Sequence, residues 1–507
     1  MEQLSTQPKQ FIVKKDYGPT TAEIIMPDDV TDALIKMSDE LWRLEANQVV
    51  DLLKNNDVSP TEIVKSSINR IEEVDVNINA IPIKCFDRAL RKAKEIDINE
   101  EKKNWKSLLG LPIAVKDYND VSGVKTTYGS KIFKDNVPIK SDATISKLEE
   151  NGANPIGKSN VPEWAGGHTF NSVNGTTRNP FDFKKTAGGS SGGSAAALAS
   201  GQVWLATGND LGGSLRTPAS FNGIVGLRPS LGVVPRGQRH LPFDNLWVEG
   251  PMARCVKDVA LMLDAGSGNS SEDPISFDNP YNSFLKSLGR FDLPKRISFS
   301  HDLGIVPVEK EIRQITSNSI EIIKKENIEI SSEIPNFSGT LESFHTLRGI
   351  LLACMMDDLL KNHRDDILPE IIKNIEVGYN VTSKEIIYAE QIRKKLLASI
   401  DIFFKDHDFL ICPSSSIEPF DADKPFVTQI DGQKCKSYID WFAITFALTM
   451  TACPVISLPC GFTKSGLPVG IQIMGKPRKE NELLSFACFL EKKLQVKDKV
   501  PLDLTKK

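Results

Sequence analysis

At 507 residues, 40% hydrophobic and 25% charged, the chain is long enough for one large α/β domain or two to three ordinary ones. Its formal charge of −4 supplies no general attraction to nucleic acid or an anionic membrane, although local basic patches fit within such a total. Eight cysteines are scattered without a C-x-x-C pair, which argues against a zinc cluster or disulfide framework. Free thiols in a reducing, cytoplasmic compartment are expected, and Cys460 in Pro459-Cys460-Gly461 reads as a small buried hydrophobe.

Met1 to Lys14 is polar and lacks the apolar core of a signal peptide, so residues 1–38 read as an N-terminal extension ahead of a single domain over 39–500. Ser59-Pro60-Thr61-Glu62 is a helix start: Ser59 caps, Pro60 suits the first turn and Glu62 closes a capping box. Ile63, Val64, Ser67, Ile68 and Ile71 follow on one face. From 107 to 260 the texture changes to short apolar runs between glycine-rich turns, with strands expected at Leu111–Val115 and Val203–Ala206. Residues 295–330 suggest a strand from Arg296 to Ser300 and a helix ending near Lys325. A helical region over 340–405 precedes three strands, at Phe409–Cys412, Val455–Leu458 and Val469–Met474. Two uncharged stretches raise a membrane question, but 186–209 is too polar for lipid, and in 441–463 Pro454 and Pro459 break any single helix. A buried helix followed by a strand is the better reading there. Apolar strands interleaved with helices predict an α/β fold, a large mixed sheet covered by helices on both faces.

The chemistry concentrates between Thr186 and Arg228, where two serines sit among glycines, in Gly189-Ser190-Ser191-Gly192 and Gly212-Gly213-Ser214. A helix is expected over Ser194–Ala199. Glycines beside a polar side chain let backbone N–H groups approach a substrate without Cβ obstruction. Amides at Leu211, Gly212, Gly213 and Ser214 are candidates for cradling a developing oxyanion, one such donor being worth about 3–4 kcal/mol. A serine nucleophile needs a base. Lys116 closes the apolar run Ile113-Ala114-Val115, and in a dry pocket its amine would lose the charge that otherwise disqualifies it.

GLPIAVKD, GGSSGGSAAA and GNDLGGSLRTPASFNGIVGLRP resemble the amidase signature family of Ser–cis-Ser–Lys hydrolases. The order Lys116, Ser190, Ser214 and the 24-residue step between the serines match. The resemblance runs from about 40 to 495 and includes GKSNVPEWA, NGTTRNP, PVISLPCG and GLPVGIQIMG. It implies that Ser214 carries the acyl group and that Ser190, on a cis peptide bond, passes a proton between Ser214 and Lys116. Leu211, Gly212 and Gly213 would form the oxyanion hole, Asp210 and Arg216 would brace the nucleophile loop, and Ser191 would be a supporting hydroxyl. Many members have Thr where this chain has Asn209, read here as subfamily drift. The implied activity is hydrolysis of a small non-peptide carboxylic amide through an acyl-enzyme. No metal or cofactor, no direct nucleic-acid contact and no membrane association are implied, and a homodimer is left open. The signature core would span about 107–260, with specificity set by a variable helical region over about 270–430.

Other readings compete. A phosphate loop would need G-K-[ST] after the glycines. Gly188-Gly189-Ser190-Ser191-Gly192 fits the G-x-S-x-G elbow of α/β-hydrolases, but Phe181–Lys185 before it is a poor strand and no histidine stands in a distinctive setting. All six histidines read as surface or core residues. Asp210 with Arg216 would serve equally as a structural ion pair, Lys158 as a surface or packing residue, and Asp440-Trp441 as a helix start with a core tryptophan or as pocket lining. His345, Met355 and Met356 suit either the pocket or helix packing. The glutaminase component of a tRNA-dependent amidotransferase shares the triad. Tyr388 and Arg393 fit it, but no arginine pair precedes Gly378-Tyr379, which favours a stand-alone enzyme. A catalytically silent scaffold is opposed by the intact Lys116, Ser190 and Ser214.

Overall fold

The computed structural model describes residues 40–98, 107–237 and 241–504. The expected N-terminal extension lies outside them.

Among the described residues eleven strands form one mixed sheet: β1 (Ile83–Lys84), β2 (Pro112–Lys116), β3 (Asn154–Ser159), β4 (Leu205–Asp210), β5 (Val225–Arg228), β6 (Val248–Ala253), β7 (Arg296–Phe299), β8 (Glu329–Ser331), β9 (Phe409–Pro413), β10 (Val455–Phe462) and β11 (Pro468–Met474). Their spatial order is β1-β3-β2-β4-β6-β5-β10-β11-β9-β7-β8. β2 runs parallel to both β3 and β4, and β7 runs parallel to β8 and β9. The pairings between β4 and β9 across the middle are antiparallel. Every residue of β2, β3, β4, β5, β6, β9 and β11 is buried, so side chains on both faces are covered.

Helix α1 (Pro60–Ile78) starts at the expected box: Ser59 Oγ accepts from the Glu62 N–H at 3.2 Å, and Glu62 accepts from the Ser59 N–H at 2.8 Å. Helix α2 (Gly192–Ala199) consists of small residues and one leucine, all buried, and packs on β2, β3, β4 and β6. Helix α3 (Thr217–Asn222) follows β4, and α4 (Thr340–His363), α5 (Pro369–Asn380) and α6 (Ser383–Asp406) occupy the expected variable region. Helix α7 (Ala443–Thr449) precedes β10, the helix-then-strand arrangement expected for 441–463. Among the described residues, no helix is long and apolar enough to cross a membrane.

The expected strand at Val203–Ala206 begins two residues later and runs to Asp210, because its polar end pairs in register with β6. Phe181–Lys185, read as a poor strand, does contribute one: Asp182–Thr186 pairs with Arg178–Asn179 in a small separate hairpin. Asn179 Nδ2 ties its ends by donating to the Thr186 carbonyl at 3.2 Å, and the Lys184 carbonyl accepts from the Ala422 N–H at 2.9 Å. The Ala422 contact is remote enough in sequence to be invisible to periodicity.

Candidate active site

Lys116 ends β2 and is fully buried. Its backbone N–H donates to Thr207 Oγ1 on β4 at 2.9 Å, which fixes where its side chain begins. Its Nζ stands 2.7 Å from Ser190 Oγ and also bonds Asn209 Oδ1 on β4. Burial disfavours the ammonium and pulls the Lys116 pKa down to about 7, against the opposing pull of Glu249 and Asp210. The lysine is thus poised to lose and regain a proton near neutrality.

Ser190 and Ser191 immediately precede α2, and the Gly189–Ser190 peptide bond is cis. A Cβ on Gly189 would lie 2.2 Å from the Gly167 carbonyl oxygen, so only glycine lets this loop seat there. The Ser191 hydroxyl reaches the Asn209 carbonyl at 3.5 Å.

Ser214 lies in the turn between β4 and α3, and that turn is organised by Asp210. The buried Asp210 carboxylate accepts from the N–H of Gly213 at 2.8 Å and of Leu215 at 3.2 Å, and from Arg216 Nε and Nη2 at 3.0 Å each. Arg228 adds a second guanidinium at 3.2 Å. Burial raises the Asp210 pKa, but Arg216 and Arg228 outweigh it and hold the carboxyl at about 2, ionised at any physiological pH. Arg216 also donates to the Thr445 carbonyl at 2.8 Å, Gln472 Oε1 at 2.9 Å and Thr449 Oγ1 at 3.0 Å, tying the turn to α7 and β11. Gly213 holds φ at +127°, where a Cβ would sit 2.0 Å from Thr445 Oγ1.

Ser190, Ser214, Leu211 and Gly212 line one pocket together. Gly213, expected in the oxyanion cradle, instead donates its N–H to Asp210. Among the described residues no hydrogen bond joins the Ser214 hydroxyl to Ser190. The walls are Trp164, Trp247, Phe344, Phe442 and Leu352, with Arg348 as the pocket's cation.

Several residues escape sequence reasoning. Asn209, read as drift, is a direct partner of Lys116. Arg228, conspicuous only as the end of a glycine-rich motif, is the second brace on Asp210. Phe344, Arg348 and Leu352 share one face of α4 at four-residue spacing, and none of the three stands out in a region whose sequence reads only as helical. His345, Met355 and Met356 do not line the pocket. Met356 is buried in an apolar cluster with Tyr118 and Trp164, and Trp441 is a core residue. Lys158 is no surface residue: fully buried, it donates to the Asn119 carbonyl and Thr126 Oγ1 and stands 3.6 Å from Asp117.

Among the described residues a large mixed sheet seats a buried lysine against Ser190, which shares one pocket with Ser214. The chain belongs to the amidase family, the amidase signature enzymes, whose family model matches residues 62–484. It is 32% identical over 482 residues to a glutamyl-tRNA(Gln) amidotransferase component from Sulfurihydrogenibium sp. (strain YO3AOP1), covering 88% of this chain and 96% of that one. An acylamidase of Rhodococcus erythropolis is 30% identical over 466 residues, covering 91% and 97%. The crystal structure of a bacterial aryl acylamidase of the amidase signature family superposes with a TM-score of 0.83 at 27% identity, covering 90% of this chain and 99% of that one.

Proposed function

We propose that this chain hydrolyses a small carboxylic amide through a seryl acyl-enzyme on Ser214, with Lys116 as the base and Ser190 as the proton carrier between them. One observation carries this reading: a fully buried amine with its pKa lowered to about 7 stands 2.7 Å from Ser190 Oγ, beside the pocket that Ser190 and Ser214 share. Neutral Lys116 takes the Ser190 proton as Ser190 takes that of Ser214, whose oxygen attacks the amide carbon. The tetrahedral oxyanion forms against the Leu211 and Gly212 amides. The proton then returns through Ser190 to the departing nitrogen, breaking the C–N bond and leaving an ester on Ser214. Water, deprotonated along the same relay, releases the acid. The test is ammonia release by the purified chain from a panel of aliphatic, aromatic and amino-acid amides, with Ser214→Ala as control. Turnover abolished by that substitution supports the reading, and turnover that survives it refutes the nucleophile.

A second reading is the glutaminase component of a tRNA-dependent amidotransferase, favoured by the 32% identity to a protein of that kind and by an arginine, Arg348, in the pocket wall. Glutamine hydrolysis that appears only when partner proteins are added supports it. Hydrolysis of simple amides by the chain alone favours the stand-alone enzyme.

A further inference from the structure

Arg348 is 7% exposed, yet among the described residues no carboxylate forms an ion pair with it. Its Nη1 donates to Asn374 Oδ1 at 2.7 Å and its Nη2 to the Tyr438 hydroxyl at 2.8 Å, both neutral acceptors. Asn374 in turn donates to the same hydroxyl at 3.0 Å, and the guanidinium lies 5.8 Å from the Tyr438 ring centre. The arginine is therefore held in place by groups that leave its charge uncompensated. A buried cation normally has an anionic partner, because desolvation is otherwise too costly. The two buried arginines that brace the Ser214 turn obey that rule, Arg216 and Arg228 both standing against Asp210. Arg348 differs from them in lining the pocket with Ser190 and Ser214. The rest of that wall is largely apolar and aromatic, an environment that strengthens a charge-assisted contact to anything seated there.

Resting on the amide-hydrolase reading, we infer that the substrate carries a carboxylate as well as the scissile amide, and that Arg348 receives it. The carboxylate belongs either to the acyl half, as in the monoamide of a dicarboxylic acid, or to the amine half, as in an N-acyl amino acid. Both present the same anion to the guanidinium, and Asn374 and Tyr438 act as positioning residues that aim it. Glutamine falls in the first group, but no feature of the pocket demands its α-amino group.

Size-matched substrate pairs decide the matter. The kcat/KM for glutaramate is compared with that for pentanamide, and for N-acetylglycine with N-ethylacetamide, in the full chain and in Arg348→Gln. The expected result is a preference of roughly 10- to 100-fold for the charged member of at least one pair, which collapses in the variant. The pair that shows it locates the carboxylate. Arg348→Lys should restore part of the preference, as a point charge without the planar fork does. Calorimetric titration with glutarate needs no turnover, and binding should be lost in Arg348→Gln while circular dichroism verifies that the variant is folded. Hydrolysis of neutral and charged members at equal rates, or a preference that survives Arg348→Gln, overturns the inference and leaves the amidase reading intact. Arg348-dependent glutarate binding with no hydrolysis of any amide keeps Arg348 as a carboxylate site but overturns the amidase reading, and with it the claim of a scissile amide in the same ligand. Absence of both glutarate binding and hydrolysis overturns both.

Discussion

At the scale of single residues, the proposed chemistry rests on how Lys116 loses its charge. With its pKa near 7, Lys116 is protonated and idle as a base below that pH and neutral above it. The kcat/KM for an uncharged amide should therefore rise about tenfold per pH unit on the acid side and level off above about pH 7. Asn209 supplies a neutral acceptor to the amine, which leaves the ammonium without a counter-charge at that contact. Asn209→Asp would set an anion against Lys116, stabilise the ammonium and move the acid limb upward by about one to three pH units. A pH–rate profile of the variant that overlays the parent would show that Asn209 has no bearing on the base. Ser214→Ala should lower kcat by about 10⁴-fold or more, leaving residual rate from the remaining machinery. At this scale the sequence is informative where chemistry and neighbours coincide. Lys116 closes an apolar run, and both serines sit within glycines. It is silent on Asn209, whose partner lies 93 residues away, and on Arg348, whose partners lie 26 and 90 residues away. A charged residue on a helix reads as solvated until the packing is known.

At the scale of elements, the turn from β4 into α3 is the piece on which positioning depends. Asp210 carries two buried guanidinium groups and two backbone amides, so Asp210→Ala strands two positive charges without an anion. The expected destabilisation is about 3–5 kcal/mol, measured by urea unfolding, larger than most single substitutions cause. Loss of less than about 1 kcal/mol would mean that water compensates the arginines and that the brace is dispensable. Gly213→Ala meets both a positive φ and Thr445 Oγ1, and it should cost activity through displacement of Ser214 even where the chain still folds. Sheet and helices are largely legible beforehand because apolar runs, proline breaks and the Ser59 capping box are local signals. The hairpin at 178–186 is not legible, since a polar strand held by side-chain and loop contacts leaves no alternation to read.

At the scale of the molecule, the sheet divides the labour. In the proposed reaction β2, β4 and the two serine loops provide the reacting groups, while α4, in the region expected to vary, lends Phe344, Arg348 and Leu352 to the pocket wall. The chain is similar both to an amidotransferase component and to an acylamidase, so the family resemblance alone leaves its amide unassigned. Whether the chain works alone is read from its own turnover of simple amides. The most direct measurement of the central claim is mass spectrometry of the intact protein and its peptides after brief exposure to a p-nitrophenyl acyl ester. A single acyl group on the peptide that contains Ser214, absent in Ser214→Ala and formed far more slowly in Lys116→Ala, is the predicted result. An acyl group found on Ser190, or acylation of Ser214 at an unchanged rate without Lys116, would contradict it.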